Sequence, residues 1–177
     1  SDSYNEGEHW LVYCEDREQL NEINDALILE NINSFIYVSD MEGSPSAELD
    51  AFTNQSGVLL SIRCLDEGVD IPKISHAIIV ASSQNPRQFI QRRGRVLRRS
   101  NNKLNAVIYD CLVVPLDTSD ETKFDGLILS EAKRSIEFAR TARNAASAEA
   151  VLRNILINIG DDPDLIMQEI DGDEENE

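Results

Sequence analysis

Seven of the sixteen Lys and Arg residues lie in one segment, RQFIQRRGRVLRRSNNK (87–103), which contains no Asp or Glu. The whole chain has 33 acidic residues and a formal net charge of −17. An arginine guanidinium stays protonated at physiological pH, and its planar fork matches the oxygens of a phosphate. The positive charge is therefore segregated in one segment of an otherwise acidic protein, and this segment is a candidate for anion binding.

Within that segment, Gln91, Arg95 and Arg98 are spaced at i, i+4 and i+7. On a continuous helix these three side chains share one face. If the helix ends at Gly94 instead, a loop still allows both arginines to point outward. The competing interpretation is a solvated basic patch, or arginines that pair with nearby carboxylates.

A second segment whose residues could bind a ligand is LDEGVDIP, residues 65–72. Gly68 permits a close approach of the backbone, and Asp70 offers an acceptor suited to a ribose hydroxyl. An ordinary turn at the end of a strand has the same Gly-x-Asp-x-Pro pattern. Both interpretations stay open on the residues alone.

Short apolar runs alternate with polar, helix-like segments through the first two-thirds of the chain. Between the first two runs, Leu20, Ile23 and Leu27 are spaced as one apolar helix face, and a second helix is expected at 46–52. This alternation predicts an α/β fold with a parallel sheet covered by helices on both faces. The five runs are 9–14, 34–39, 57–62, 76–81 and 105–114.

After Pro115 the pattern becomes helical throughout. TSDE (118–121) has the form of a capping box, and Gly160 with Pro163 is typical of a helix end followed by a stop. We expect one or two helices, broken near NAASAE. The predicted organisation is an N-terminal tail (1–8), the α/β domain (9–117), a helical extension (118–170) and a frayed acidic tail (171–177).

Composition narrows the class of protein. Hydrophobic residues make up 41% and charged residues 28%, which is typical of a globular chain, and no apolar run approaches the ~20 residues of a membrane helix. The cysteines Cys14, Cys64 and Cys111 have no C-x-x-C spacing, and His9 and His76 are the only histidines. We therefore expect a cytoplasmic protein with reduced, mostly buried thiols, no metal site and no membrane partner.

LDEGVDIP and QRRGRVLR (91–98), some twenty residues apart, together resemble motifs V and VI of superfamily 2 helicases and translocases. WLVYC (10–14) with Arg17 resembles motif IV. The variant is similar to the branch of type III and type I restriction motors and DEAD/DEAH-type repair helicases. The resemblance covers about residues 9–115 in order. It implies the C-terminal, RecA-like domain of a two-domain motor.

The resemblance implies roles for particular residues. Arg95 and Arg98 are the expected arginine fingers, which reach the γ-phosphate held by the partner domain, with Gln91 at the domain interface. Gly68, Asp70 and Gly94 belong to the nucleotide-binding part of the two motifs. Arg87, Arg92, Arg93 and Arg99 are expected nearby, as interface ion pairs or DNA contacts.

The nucleic-acid track implied by the resemblance has one departure. Many relatives have Thr six residues before the motif V glycine, whereas this chain has Ile62 there. Ser61 and Arg63, on either side, are the substitute candidates for phosphate contact. Arg17, after the first strand, is a further candidate.

Two expected features of a complete motor are missing from these 177 residues. No glycine is followed by Lys, so the phosphate loop G-x-x-x-x-G-K-[ST] is absent, and no apolar strand ends in D-E-x-[HD]. ATP and Mg²⁺ would therefore be bound mainly by an N-terminal RecA-like domain of the same protein, and we expect this chain alone to be inactive.

The expected partners are that domain and DNA, with RNA possible. One alternative is a non-catalytic RecA-like module that docks a partner or nucleic acid. Another is an unrelated doubly wound enzyme, which the lack of a glycine-rich loop or nucleophile elbow disfavours.

Overall fold

A computed structural model describes residues 4–38, 44–62, 73–80, 105–113 and 125–174. Each predicted apolar run contains one strand: β1 (His9–Tyr13), β2 (Ser34–Tyr37), β3 (Gly57–Ser61), β4 (His76–Ile79) and β5 (Val107–Asp110). The described helices are α1 (Arg17–Leu29), α2 (Pro45–Gln55), α3 (Asp125–Arg140), α4 (Ala145–Asn158) and α5 (Pro163–Glu174). In this part of the chain, no helix has the length and apolar character needed to cross a membrane.

The five strands form one parallel sheet in the order β2-β3-β1-β4-β5. The predicted α/β fold with a parallel sheet is therefore confirmed. β1 and β3 are buried along nearly their whole length because they have hydrogen-bonded neighbours on both sides and helices above or below. Their near-continuous apolar sequences are typical of strands buried on both faces.

One face of the sheet is packed by α1, as the helical spacing predicted. Leu20 is fully buried, and Ile23 and Leu27 pack against the same core cluster. Trp10 and Val12 of β1 belong to this cluster, because alternate residues of a strand point to the same face. Burying each such side chain stabilises the fold by about 1.5–3 kcal/mol.

The opposite face is packed by α2. The ring of Phe52 is fully buried and lies edge-on to His9 and Phe35, with ring centroids 5.1 and 5.6 Å away. Leu11 and Leu59, on neighbouring strands, are fully buried as well. Edge-to-face geometry of this kind is favourable because the positive edge of one ring meets the negative face of another.

Both helices begin at a side-chain cap. The carboxylate of Asp16 accepts a hydrogen bond from the Gln19 backbone N–H at 2.9 Å. Ser44 does the same for the Ala47 N–H at 3.4 Å, and Pro45 occupies the first turn of α2. A cap of this type satisfies one of the N–H groups that a helix N-terminus leaves without a partner.

Residues Leu112–Glu177 form a second compact unit, separate from Ser1–Cys111. The three described helices of this unit enclose their own core, which includes Leu112 at its margin. The buried members of that core are Ile128, Ala132, Ile136, Leu152, Leu156, Met167 and Ile170. The predicted domain boundary, 117/118, and the predicted capping box at 118–121 lie outside the described residues.

The helical unit differs from the sequence-based expectation in two ways. The break between α3 and α4 falls at 141–144, near NAASAE as expected, but a third helix follows where one or two were expected. Gly160 has φ +92° just after α4, as expected for a C-cap glycine, but Pro163 starts α5 rather than only stopping a helix. Because Met167 and Ile170 are buried, α5 continues to Glu174 and includes most of the predicted tail.

Gly57, at the start of β3, has φ +132°, a backbone conformation that side chains with a Cβ rarely adopt. A Cβ there would lie 2.4 Å from the carbonyl oxygen of Asn33. The Val58 N–H donates to that same oxygen at 2.8 Å. Displacing the oxygen would therefore break the hydrogen bond that joins β3 to the residue before β2.

We expect Gly57→Ala to lower the free energy of unfolding by about 2 kcal/mol or more, from backbone strain and the clash together. Gly126→Ala is the matched control, because a Cβ at Gly126 in α3 meets nothing within 4 Å and its φ is not positive. The control should be neutral or stabilising by up to ~1 kcal/mol. Urea unfolding of both variants tests this, and equal stabilities would contradict it.

Candidate functional site

The carboxyl ends of the five strands lie together along one edge of the sheet. The strand-ending residues pair with one another across the sheet, and all but one carry a hydrogen-bonding side chain. In sheet order they are Tyr37, Ser61, Tyr13, Ile79 and Asp110. Sequence analysis singled out Ser61 but missed Tyr13 and Asp110, whose signal was a polar residue at the end of an apolar run.

Sheet topology determines where the two motif segments leave this edge. Residues 63–72, with LDEGVDIP, follow β3, and residues 81–100, with QRRGRVLR, follow β4. β1 lies between β3 and β4 in the sheet, so the two segments start on either side of β1. The sequence separates these segments by some twenty residues, and the fold brings their starting points within two strand spacings, about 10 Å.

The same edge contains the topological switch point of the sheet. From β1 the chain proceeds to β2 on one side, and from β4 it proceeds to β5 on the other side. In open α/β sheets, ligands bind outside the carboxyl ends of the strands where the connections diverge in this way. The crevice beyond β1 and β4 is therefore the candidate binding site.

Most residues with predicted roles lie outside the described residues, so their roles stay predictions. This applies to the expected fingers, to the expected nucleotide-binding residues and to one phosphate-contact candidate. They are Arg95, Arg98, Gln91, Gly68, Asp70, Gly94 and Arg63.

Ser61 is the last residue of β3, and its side chain is fully buried. Its carbonyl oxygen accepts a hydrogen bond from the Cys14 N–H at 2.9 Å, which extends the pairing of β1 and β3 beyond the strand. Among the described residues, no group hydrogen-bonds to the Ser61 hydroxyl. Ser61 pairs with Tyr13 at the end of β1, and its contact with a phosphate stays a prediction.

Arg17 is the first residue of α1, which follows the carboxyl end of β1, and its side chain is exposed. Glu15, Asp16 and Glu18 lie next to it in sequence, and all three are exposed. These carboxylates oppose anion binding at the positive end of the α1 dipole. The described part of this edge is thus acidic around Arg17, and a basic surface requires the segment 87–103.

Cys14 directly follows β1 at the carboxyl edge of the sheet, and its side chain is buried. Burial raises the pKa of its thiol to about 11, and the nearby charge of Asp16 adds to the shift. Cys111, in contrast, is exposed. No cluster of three or more His, Cys, Asp or Glu side chains suited to a metal ion occurs within the described ranges.

The chain matches the family model described as the helicase conserved C-terminal domain, over residues 3–100. That match covers more than half of the 177 residues. The chain belongs to this helicase family. The matched region includes β1 to β4 and both predicted motif segments, so the expectation of a helicase C-terminal domain is confirmed. The assignment to the branch of restriction motors and repair helicases stays a prediction.

A relative in Methanocaldococcus jannaschii, whose name gives it as a candidate ATP-dependent RNA helicase, is 27% identical over 112 residues. The match covers 59% of this chain but only 14% of that protein, so this helicase domain is a small part of its relative.

Two solved structures show the RecA-like fold. The DEAD-box protein SrmB of E. coli has a TM-score of 0.54 at 19% identity, covering 74% of this chain and 72% of that chain. The C-terminal domain of the DEAD-box protein Dbp5 has a TM-score of 0.52 at 19% identity, covering 70% and 69%.

We expect Cys14 to resist alkylation in the folded protein. At pH 8 its raised pKa leaves on the order of one thiolate in a thousand, and burial blocks the reagent. In a Cys64→Ser background, mass spectrometry should show one modified thiol, Cys111, under native conditions and two in denaturant. The control Cys14→Ala should show one in both. Two rapidly modified thiols in the folded protein would contradict the burial of Cys14.

Proposed function

We propose that this chain is the second motor domain of an ATP-dependent nucleic-acid helicase or translocase. The observation that carries the proposal is the family match over residues 3–100 on a parallel sheet with a switch point between β1 and β4. Both predicted motif segments begin beside that switch point. A two-domain motor needs such an edge, because residues from one domain must reach a nucleotide held by the other.

The proposed roles of the two motor domains follow from the motifs that this sequence contains and from the phosphate loop that it lacks. An N-terminal RecA-like domain holds ATP and Mg²⁺, since the phosphate loop is absent from this sequence. Arg95 and Arg98 stabilise the negative charge that develops on the transferring phosphoryl group, and Gln91 lies at the domain interface. The backbone at Gly68 and Gly94 allows close approach, and Asp70 accepts from the ribose or from the partner domain.

The nucleic acid is proposed to run along the carboxyl edge, where β1 and β3 are adjacent and where Arg17, Ser61 and Arg63 follow or end those strands. Resemblance to restriction motors and repair helicases favours DNA. The name of the M. jannaschii relative supports RNA as the alternative. With a net charge of −17, the isolated chain should contribute only weak, salt-sensitive affinity.

We expect the purified 177-residue chain to show no steady ATP hydrolysis, because the ligands of Mg²⁺ and of the triphosphate belong to the other motor domain. The measurement is phosphate release with saturating DNA or RNA, compared with an Arg95→Ala/Arg98→Ala double variant as the background. Turnover clearly above that background would refute the two-domain proposal.

In a polypeptide that joins this chain to its first motor domain, Arg95→Ala and Arg98→Ala should each lower kcat by about 10³-fold or more. Lysine should restore little, because a point ammonium does not reproduce the planar fork of arginine. The measurement is kcat for ATP hydrolysis, in parallel with saturating DNA and saturating RNA, and the polynucleotide that stimulates turnover identifies the substrate.

Arg92→Ala and Arg99→Ala are the matched controls, because they remove the same charge from the same segment. They should change kcat little, and all four variants should keep the wild-type Tm. Equal, small losses of kcat across the four, together with weaker nucleic-acid affinity, would replace the finger assignment with the non-catalytic docking module.

A further inference from the structure

Two basic side chains share one backbone carbonyl in the last turn of α2. The carbonyl oxygen of Thr53 lies 3.2 Å from His9 Nε2 and accepts a hydrogen bond from Lys73 Nζ at 2.8 Å. Both nitrogens are within hydrogen-bonding distance of the same oxygen, so they are close neighbours. His9 begins β1 and Lys73 lies just before β4, so this oxygen joins three segments that are far apart in the sequence.

His9 is the fixed partner of this oxygen. Its ring lies edge-on to Phe52, with ring centroids 5.1 Å apart. Its backbone carbonyl accepts hydrogen bonds from the N–H and the hydroxyl of Ser75, at 2.9 and 3.2 Å. A carbonyl oxygen only accepts, so the His9 nitrogen that bonds to Thr53 carries a hydrogen whether the ring is neutral or charged. His9 therefore gains a proton at its other nitrogen without losing this hydrogen bond.

Lys73 is the partner that is free to leave. Its side chain is exposed, and an ammonium on a flexible four-carbon stem is strongly hydrated. At neutral pH the Thr53 carbonyl and the negative end of the α2 dipole attract this charge. A second positive charge on His9 repels it, and water is the alternative partner of the ammonium.

Lys73 is also the charged group that acts on the His9 ring within the described ranges. Burial lowers the pKa of His9, the hydrogen bond to Thr53 raises it and the charge of Lys73 lowers it, so that the pKa lies below its ordinary value. β3 has no titratable side chain. Glu8 accepts a hydrogen bond from an indole on the opposite face of the sheet, Glu48 accepts one from a backbone N–H of β2, and Asp50 is exposed.

We propose that the Thr53 carbonyl is a proton-sensitive latch, which holds Lys73 while His9 is neutral and releases Lys73 from α2 when His9 is protonated. Histidine suits this role because its charge changes close to physiological pH. Lys73 directly follows LDEGVDIP, so the latch ties the residue after that segment to α2. The bonds from Ser75 go to the backbone of His9, so they persist in both states and confine the change to Lys73.

The direct test is an NMR titration that follows the His9 ring and the Lys73 side chain in the 177-residue chain. We expect the Lys73 Cε and Nζ resonances to shift with the same midpoint as the His9 ring, and this step to disappear in His9→Gln. Glutamine keeps an N–H donor for Thr53 and does not titrate. Lys133 in α3 is the matched control and should show no step at the His9 midpoint.

The reciprocal variant is Lys73→Gln, which removes the charge from an exposed side chain and leaves the fold intact. It should raise the pKa of His9 towards its ordinary value, because the repulsion by the ammonium is gone. Lys133→Gln removes the same charge from the helical unit and should leave the pKa of His9 unchanged.

The latch also predicts how stability depends on pH. The unfolded chain binds a proton at His9 more readily than the folded chain, because the pKa of His9 is lower in the folded state. The contribution of His9 to stability is therefore complete above about pH 6.5 and is lost as the pH falls through the folded-state pKa. The drop in Tm between about pH 7.5 and about pH 5.5 should be larger for the unaltered chain than for His9→Gln.

Two outcomes would overturn the proposal. The first is a set of Lys73 resonances that stays constant through the titration of His9, since the two side chains would then not share the oxygen in solution. The second is an unchanged pKa of His9 in Lys73→Gln. Neither measurement involves ATP or nucleic acid, so failure here leaves the motor proposal intact.

Discussion

The parallel pairing of β1 between β3 and β4 is the constraint on which the rest of the α/β unit depends. It buries β1 from Trp10 to Tyr13, and it aligns the strand-ending residues in one row. Parallel strands need crossover connections, so the helices must lie on the faces of the sheet and the loops must emerge at its edges. The candidate crevice is a geometric consequence of that pairing, because the motif segments start on either side of β1.

Basic and acidic side chains are unevenly distributed along this chain. The expected phosphate-facing arginines lie in 87–103, while the described part of the crevice edge is acidic around Arg17. The helical unit has a charged pair of a different kind: Glu131 and Arg134 are both buried and joined at 3.0 Å, and Glu131 also accepts from the Val113 N–H at 3.2 Å. Removing one member of such a pair leaves the other buried without its partner, which is strongly destabilising.

Local periodicity and residue type were enough to predict much of this protein. Each of the five apolar runs contains a strand. Leu20, Ile23 and Leu27 lie on the side of α1 that packs against the core, because hydrophobic residues at helical spacing share one face of a helix. Motif spacing was also enough to identify the helicase family. The helical extension was less predictable, since Pro163 fits a stop as well as a helix start and only the burial of Met167 and Ile170 decides between them.

Strand order could not be predicted, because hydrogen bonding between strands leaves no periodic trace in the sequence. The sheet order alone decided that segments following β3 and β4 start beside β1 and that Ser61 pairs with Tyr13. The sequence by itself determined which residues carry charge, which runs are buried and which family the chain resembles. Only the tertiary structure decided which of those residues meet, because contacts between distant segments depend on the packing of the whole sheet.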